Sequence, residues 1–398
     1  MPRGDILIIR NVIDCFGIDS GIAFAPMIDP IPAMLAKHKE LKFVKTTTLG
    51  SRVKLPGNNF YDHFFRYCSL TEKAIRKLFG FQRNFLICEL YYWSAFFKRT
   101  NIKRVLCIEP TQSFLKICRD FSINVCEVQH GVIDLSSESL SHKDMTQNDL
   151  YPDYFLSWDR VSANKAYERS FYKTNPLIGC NMSLFHYLGN SENKDSNMLD
   201  GKSEDTSSKI SVLVTLQWGM GESGPDPYKE MHLEGSYLPR EVLDYMASSL
   251  DKYNYIFRLH PVSKKNKDEV KAIFTSLYSF GLVSSIEELE LISDIPIYLQ
   301  LMQVELHLTL YSSVTIESSY LGVPSILLDP ALKKGRTREK HFENEINDGI
   351  AFIADINNME ESFEKALSLR GSLVKPIQTR FNECEKSLEK FLTLPLYK

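Results

Sequence analysis

What most constrains this chain is a rhythm of short β-rich runs alternating with amphipathic stretches, broken once by a long polar segment. The break runs from Asn190 to Lys209, NSENKDSNMLDGKSEDTSSK, where only Met198 and Leu199 are apolar. Such a segment buries too little surface to offset the entropy of ordering it. It therefore reads as a linker or long surface loop. A length of 398 residues also exceeds what one hydrophobic core serves. The expected division is residues 1–189, a linker at 190–209, a second domain at 210–370, and a C-terminal helix within 371–398 that packs back on the first domain.

Both flanks carry the pattern of parallel-sheet α/β domains. Before the linker, Asp5–Arg10, Arg104–Ile108, Asn124–Val128 and Tyr154–Ser157 read as strands, and Thr111–Phe121 as a crossover helix. Helical stretches around Tyr61–Phe79 and Asn84–Lys98 are rich in aromatics, which core packing explains. After the linker, Ile210–Leu216, Tyr255–Leu259, Val304–Leu310, Pro324–Leu328 and Ile350–Ala354 read as strands. Helices are expected at Arg240–Asp251, Lys264–Ser279 and Val314–Leu321, with a final helical pair. The fold class is α/β: two doubly wound, Rossmann-like domains. In such folds a ligand binds at the carboxyl ends of the strands, here expected between the domains.

Composition narrows the function classes. Lys and Arg total 47 against 50 Asp and Glu, a net charge of −3, so bulk positive charge does not hold a nucleic acid. No window approaches eighteen uninterrupted apolar residues, and MPRGDILIIR lacks signal-peptide architecture. The eight cysteines form no CxxC pair and several lie in apolar runs, as buried reduced thiols of a cytoplasmic protein do. His232, His307 and His341 show no ligand spacing, so no metal site and no cofactor are expected.

Four constellations carry the chemistry. Arg258-Leu259-His260-Pro261 ends a strand, and the proline disfavours helix at the histidine, aiming it outward at the sheet edge, where it can donate to a phosphate. Tyr311-Ser312-Ser313-Val314-Thr315-Ile316-Glu317 joins a strand to a short helix. Its hydroxyls and backbone N–H groups suit an anion, although either serine can serve only as a cap. Glu317 is placed to accept from ribose hydroxyls, and Gly322-Val323-Pro324 makes the tight return. Third, Glu127-Val128-Gln129-His130-Gly131 ends a strand on a glycine-permitted turn, where His130 is either a structural histidine or, by analogy with surface-polysaccharide transferases that show a similar turn, a candidate base. Fourth, Gln217–Asp226 is a Gly- and Pro-rich loop carrying Glu222 and Asp226, which are either plain loop acids or, for a retaining transfer, candidate nucleophiles of which Asp226 is the first choice. Arg258 or Arg240 suits a sugar carboxylate. Lys333-Lys334-Gly335-Arg336-Thr337-Arg338 can face an anionic donor or lipid surface, with a solvated loop as the default.

RLHP, YSSVTIESSYLGVPSILLD and GIAFIADINNMEESFEKAL together resemble the nucleotide-binding half of GT-B glycosyltransferases. The succession of HP and SS motifs is most similar to enzymes using cytidine-nucleotide donors, among them Kdo transferases, sialyltransferases and CDP-glycerol polymerases. The resemblance implies that His260 and its neighbour Pro261 meet the donor phosphate or cytidine, that Ser312 and Ser313 hold the phosphate, and that Glu317 lies near the ribose. The HG turn and YPDYFLSW resemble surface-polysaccharide transferases, which puts His130, Gln129 and Gly131 on the acceptor side.

The reading this favours is transfer of Kdo from CMP-Kdo to a lipopolysaccharide or capsule glycan. The partners are then a CMP-sugar donor and a glycan or lipid-linked acceptor, with peripheral placement at the inner membrane or in an assembly complex and no nucleic acid. Three alternatives stay open: a CDP-glycerol or CDP-ribitol phosphotransferase, a UDP-sugar epimerase of the same build, and a non-catalytic sugar-nucleotide binder.

Overall fold

The structure is a computed structural model. It describes residues 5–10, 17–19, 22–25, 28–38, 40–47, 87–129, 148–188, 209–217, 233, 235–370 and 377–393. The helix expected near Tyr61–Phe79 and the residues of the 190–208 segment lie outside them. The chain divides into two compact units, Met1–Gly189 with Gln378–Lys398, and Asn190–Ile377.

The first unit runs β1 (Ile6–Arg10), a β2–β3 hairpin (Gly17–Asp19 and Ile22–Phe24), α1 (Ile31–Met34), β4 (Phe43–Thr47), α2 (Ile87–Phe97) and β5 (Arg104–Cys107). It continues through α3 (Gln112–Asp120), β6 (Asn124–Val128), β7 (Tyr154–Ser157), α4 (Arg160–Arg169), β8 (Asn175–Ile178) and α5 (Met182–Leu188). Its main sheet is parallel throughout, in the order β4-β1-β5-β6-β7-β8. Every residue of β6 is buried, as expected of a strand with both faces covered. Thr111 starts α3 by accepting from the Phe114 N–H at 3.1 Å, and its hydroxyl donates to Glu89 of α2 at 2.7 Å. The aromatics of α2 divide by face: Trp93 and Phe97 enter the core, with the Trp93 ring 4.9 Å from that of Phe114, while Tyr91 is exposed.

The second unit runs β9 (Ile210–Thr215), α6 (Arg240–Ser248), β10 (Tyr253–Arg258), α7 (Lys267–Ser279), α8 (Ile286–Asp294), α9 (Ile297–Leu301) and β11 (Leu306–Thr309). It closes with α10 (Val314–Tyr320), β12 (Ser325–Leu327), α11 (Glu343–Asn347), β13 (Ala351–Ile353) and α12 (Met359–Ser368). All five strands are parallel, ordered β10-β9-β11-β12-β13. The chain moves outward from β9 to β10, then crosses back to β11, so a topological switch point lies between β9 and β11. Val212, Val214, Leu306, Leu308 and Ile326 pack there with α6 and α7 residues in one core. Gly322 takes a φ of +69° on the way into β12, a conformation that a side chain disfavours.

A last helix, α13 (Ile377–Thr393), completes the first unit. Phe381, Cys384, Leu388 and Phe391 recur at helical spacing and are buried. The Phe381 ring meets Phe185 of α5 at 5.2 Å and the Phe391 ring meets Tyr154 of β7 at 5.5 Å. Arg104 donates to the Phe391 carbonyl at 3.2 Å, Ser387 donates to the Ile178 carbonyl, and Lys37 pairs with Glu385 and Glu389. Cys107, Cys118, Cys126, Cys180 and Cys384 are all buried free thiols. Among the described residues no helix is long and apolar enough to cross a membrane.

Candidate functional site

The register of the second sheet aligns Arg258, Thr215, Thr309 and Leu327 on four neighbouring strands. Two residues further along each chain come His260, Gln217, Tyr311 and Asp329. The carboxyl edge thus carries a polar row spanning the switch point, where ligands of doubly wound sheets bind. Backbone bonds extend the alignment past the strands: Leu216 N–H donates to the Arg258 carbonyl at 3.0 Å and Leu328 N–H to the Thr309 carbonyl at 2.9 Å.

His260 is half-buried, and its Nδ1 accepts the Val262 N–H at 3.2 Å. A neutral imidazole has one acceptor and one donor nitrogen, so Nε2 must carry the proton. Burial, and after it the charges of Arg258 and Lys265, hold this histidine down at about 4. At neutral pH it is therefore an uncharged donor through Nε2, suited to a phosphate oxygen or a carbonyl. Pro261 follows, also half-buried.

The Ser312–Ser313 pair lies at the end of β11, half-buried. The Ser312 N–H donates to Thr309 Oγ1 at 3.3 Å, and Ser312 Oγ accepts the Val314 N–H at 3.3 Å. Ser313 occupies the cap position of α10, yet its side chain makes no capping bond. The capping alternative accordingly accounts for Ser312 and not for Ser313. Glu317 lies inside the domain, 5% exposed, and accepts from the Tyr298 hydroxyl at 3.0 Å. That carboxylate ties α10 to α9.

The two arginines have other occupations. Arg258 Nη1 donates to Gln300 Oε1 at 2.7 Å and to the Ile295 carbonyl, fastening β10 to the α8–α9 corner. Arg240, exposed at the start of α6, pairs with Asp244 at 3.7 Å, one turn along. The basic run 333–338 contributes instead: Arg338 Nη1 meets the buried Asp329 carboxylate at 2.9 Å, and its guanidinium lies 4.0 Å from the Tyr311 ring centroid.

In the first unit, Gln129 is 1% exposed and engaged internally. Its Oε1 accepts the Trp158 N–H at 2.8 Å, its carbonyl accepts the indole N–H at 3.1 Å, and its Nε2 donates to Ser162 at 3.4 Å. Its backbone N–H donates to the Leu156 carbonyl at 3.0 Å. An acceptor-side contact by this amide is thus replaced by a clamp between the ends of β6 and β7. Gly179 permits the neighbouring close approach: a Cβ there would lie 2.8 Å from Leu156 and 3.0 Å from the Ser157 carbonyl. His130, Gly131, Glu222 and Asp226 lie outside the described residues.

His307 was not singled out by any sequence spacing. Buried on β11, it bridges Thr215 at 2.8 Å and Ser325 at 2.9 Å, and Ser325 continues to Ser318 of α10 at 2.7 Å. Burial pushes it down to about 3, so it is a neutral linker of three strands beneath the edge. Among the described residues no cluster of three or more His, Cys, Asp or Glu has the arrangement of a metal site.

No protein-family model matches the chain, and no curated protein matches it. Solved structures do. UDP-GlcNAc 2-epimerase from Neisseria meningitidis, bound to UDP-GlcNAc, is 13% identical with a TM-score of 0.59, covering 98% of this chain and 100% of its own. The Methanocaldococcus jannaschii UDP-GlcNAc 2-epimerase is 14% identical with a TM-score of 0.56, covering 98% and 99%. The wall teichoic acid polymerase TagF is 11% identical with a TM-score of 0.51, covering 98% and 88%. The fold is GT-B: two parallel-sheet, Rossmann-like domains. Identities at this level show that build and nothing finer.

Proposed function

We propose that the chain is an enzyme that binds a sugar nucleotide at the carboxyl edge of its second sheet and epimerises a UDP-sugar. The observation that carries the binding half is the row formed by His260, Gln217, Tyr311 and Asp329 across the switch point, with Ser312 and Ser313 beside it. A neutral Nε2–H donor and two hydroxyls are groups that can hydrogen-bond a phosphate. Full-length likeness to two UDP-GlcNAc 2-epimerases supports the epimerase reading over transfer of Kdo from CMP-Kdo. Inverting a sugar carbon requires a proton to leave and return, hence an acid–base pair at the sugar. His130, Glu222 and Asp226 are the titratable residues the sequence offers for that work.

A second reading is transfer from a cytidine-nucleotide donor, CMP-Kdo or CDP-glycerol, to a surface-glycan acceptor. The His-Pro and Ser-Ser succession favours it, as does the likeness to TagF. The two separate in one experiment: incubation of the protein with UDP-GlcNAc, CMP-Kdo and CDP-glycerol in deuterium oxide without acceptor. Epimerisation predicts solvent deuterium at the inverted carbon of the UDP-sugar. Transfer predicts slow release of CMP from its donor and no deuterium. If no nucleotide is altered and none raises the melting midpoint, both readings fail.

A further inference from the structure

Residues of α13 spaced at helical intervals meet the β8–α5 connection in antiparallel register. Ser387 donates to the Ile178 carbonyl, Cys384 meets Met182, and the Phe381 ring meets Phe185. Cys180 lies between Ile178 and Met182 in the chain, which places it opposite Cys384. Its thiol makes a hydrogen bond with the Cys384 thiol, and Cys384 Sγ also donates to Met182 Sδ at 3.7 Å. Cys180, Met182 and Cys384 are all buried, and both cysteines are free thiols. By contrast, the Cys107 thiol donates to the Cys126 carbonyl at 3.9 Å and the Cys126 thiol to the Glu127 carbonyl at 3.7 Å.

The pair joins distant parts of the chain. The whole second unit, Asn190–Ile377, lies between the two cysteines. A cross-link closing a loop of about 200 residues removes much of the unfolded chain's conformational freedom. While α13 is seated the pair is protected. The hydrogen bond with Cys384, and after it burial, hold the Cys180 thiol well above its ordinary range, so it presents no thiolate. A transient release of α13 exposes both sulfurs and breaks no strand pairing, since α13 belongs to no sheet.

We propose that Cys180 and Cys384 are a modification site, at which hydrogen peroxide forms a disulfide that fastens α13 to the first unit. In the released state the Cys384 thiolate attacks a peroxide oxygen and the O–O bond breaks. A sulfenic acid forms, and the hydroxide that leaves becomes water with the proton the thiol gave up. As α13 returns, the Cys180 sulfur attacks the sulfenic sulfur, the S–O bond breaks and a second water departs. Two thiols thus give two electrons and two protons to one peroxide, and a thiol reductant reverses the bond. The inference is independent of the nucleotide-binding reading.

The test is hydrogen peroxide treatment of the full chain, native and in urea, then alkylation, digestion without reductant and mass spectrometry. From the native protein a Cys180–Cys384 linked peptide should dominate, with Cys107, Cys118 and Cys126 recovered as alkylated thiols. In urea that pairing should lose its lead, because loop length then decides which thiols meet. The oxidised native protein should melt at least about 5 °C above the reduced one, and dithiothreitol should reverse the rise. Cys180→Ser and Cys384→Ser should each abolish the linked peptide; the wild-type peptide map decides even if a variant fails to fold. A dominant link from either cysteine to another thiol, Met182 sulfoxide with both thiols intact, or thiols that stay reduced overturns the proposal. So does a linked peptide with no rise in the melting midpoint, because the bond then fastens nothing.

Discussion

At the carboxyl edge of the first sheet, Gln129 is buried against Trp158 and Ser162, while at the same edge of the second His260 stays half-buried with Nε2 as a donor. The two units also differ in how they are closed. The second contains all of its own strands and helices, whereas the first needs α13 from the far end of the chain. The difference teaches that one sheet architecture accommodates two uses of edge polarity. Where polar atoms are buried they fix a turn, and where they stay half-exposed at the edge they keep contact with solvent.

The largest expected effect breaks the structural half of that comparison. Removing residues 377–398 would uncover the seats of Phe381, Leu388 and Phe391, each worth about 1.5–3 kcal/mol of burial. The sum rivals the whole stability of a domain. Proteolysis followed by mass spectrometry should find the first unit degraded and the second intact. Equal survival of both would mean that α13 is an accessory.

A smaller effect separates the two histidines of the second unit. His307→Leu leaves the Thr215 and Ser325 hydroxyls without their ring partner and should cost about 2–4 kcal/mol in urea unfolding. The pH dependence carries a sign. His307 sits at about 3 and His260 at about 4, against 6.5 in the unfolded chain. Between 6.5 and about 4 the unfolded state binds more protons, so stability present above 6.5 is lost as the pH falls. His307→Leu should flatten part of that slope, and an unchanged slope would locate the proton uptake elsewhere.

The smallest stability effect and the clearest binding effect belong to His260→Ala. Its melting midpoint should move by no more than about 2 °C, since the residue lies at the sheet edge, half-buried. Affinity for UDP should nonetheless drop about tenfold or more. A large stability loss with intact binding would make His260 a second His307.

Much of this was legible because short apolar runs rich in valine or aromatics announce buried parallel strands: Asn124–Val128 and Tyr154–Ser157 are strands over those residues. Strand β8 was not read, because Asn175-Pro176-Leu177-Ile178 carries a proline, which only an edge strand tolerates, and β8 is the edge. Helix α8 was missed in a Glu-rich stretch whose signal was its start, Ser285 accepting from the Glu288 N–H at 3.0 Å. His260 and the serine pair do follow strands β10 and β11, a placement legible in the sequence because strand ends are local. The Arg338 stack on Tyr311 and the His307 bridge to Thr215 join residues far apart in sequence, and a linear pattern holds no record of such pairings.

The return of α13 has a consequence for how this molecule is born. Between Gly189 and Gln378 a ribosome must read out roughly 190 residues, the whole second unit, before the last piece of the first emerges. At about 5–20 residues per second the groove for Phe381, Leu388 and Phe391 stands open for roughly ten to forty seconds. Over that interval the nascent first unit offers a greasy slot to chaperones or to a neighbouring nascent chain, and the timing of translation becomes part of what keeps the protein from aggregating.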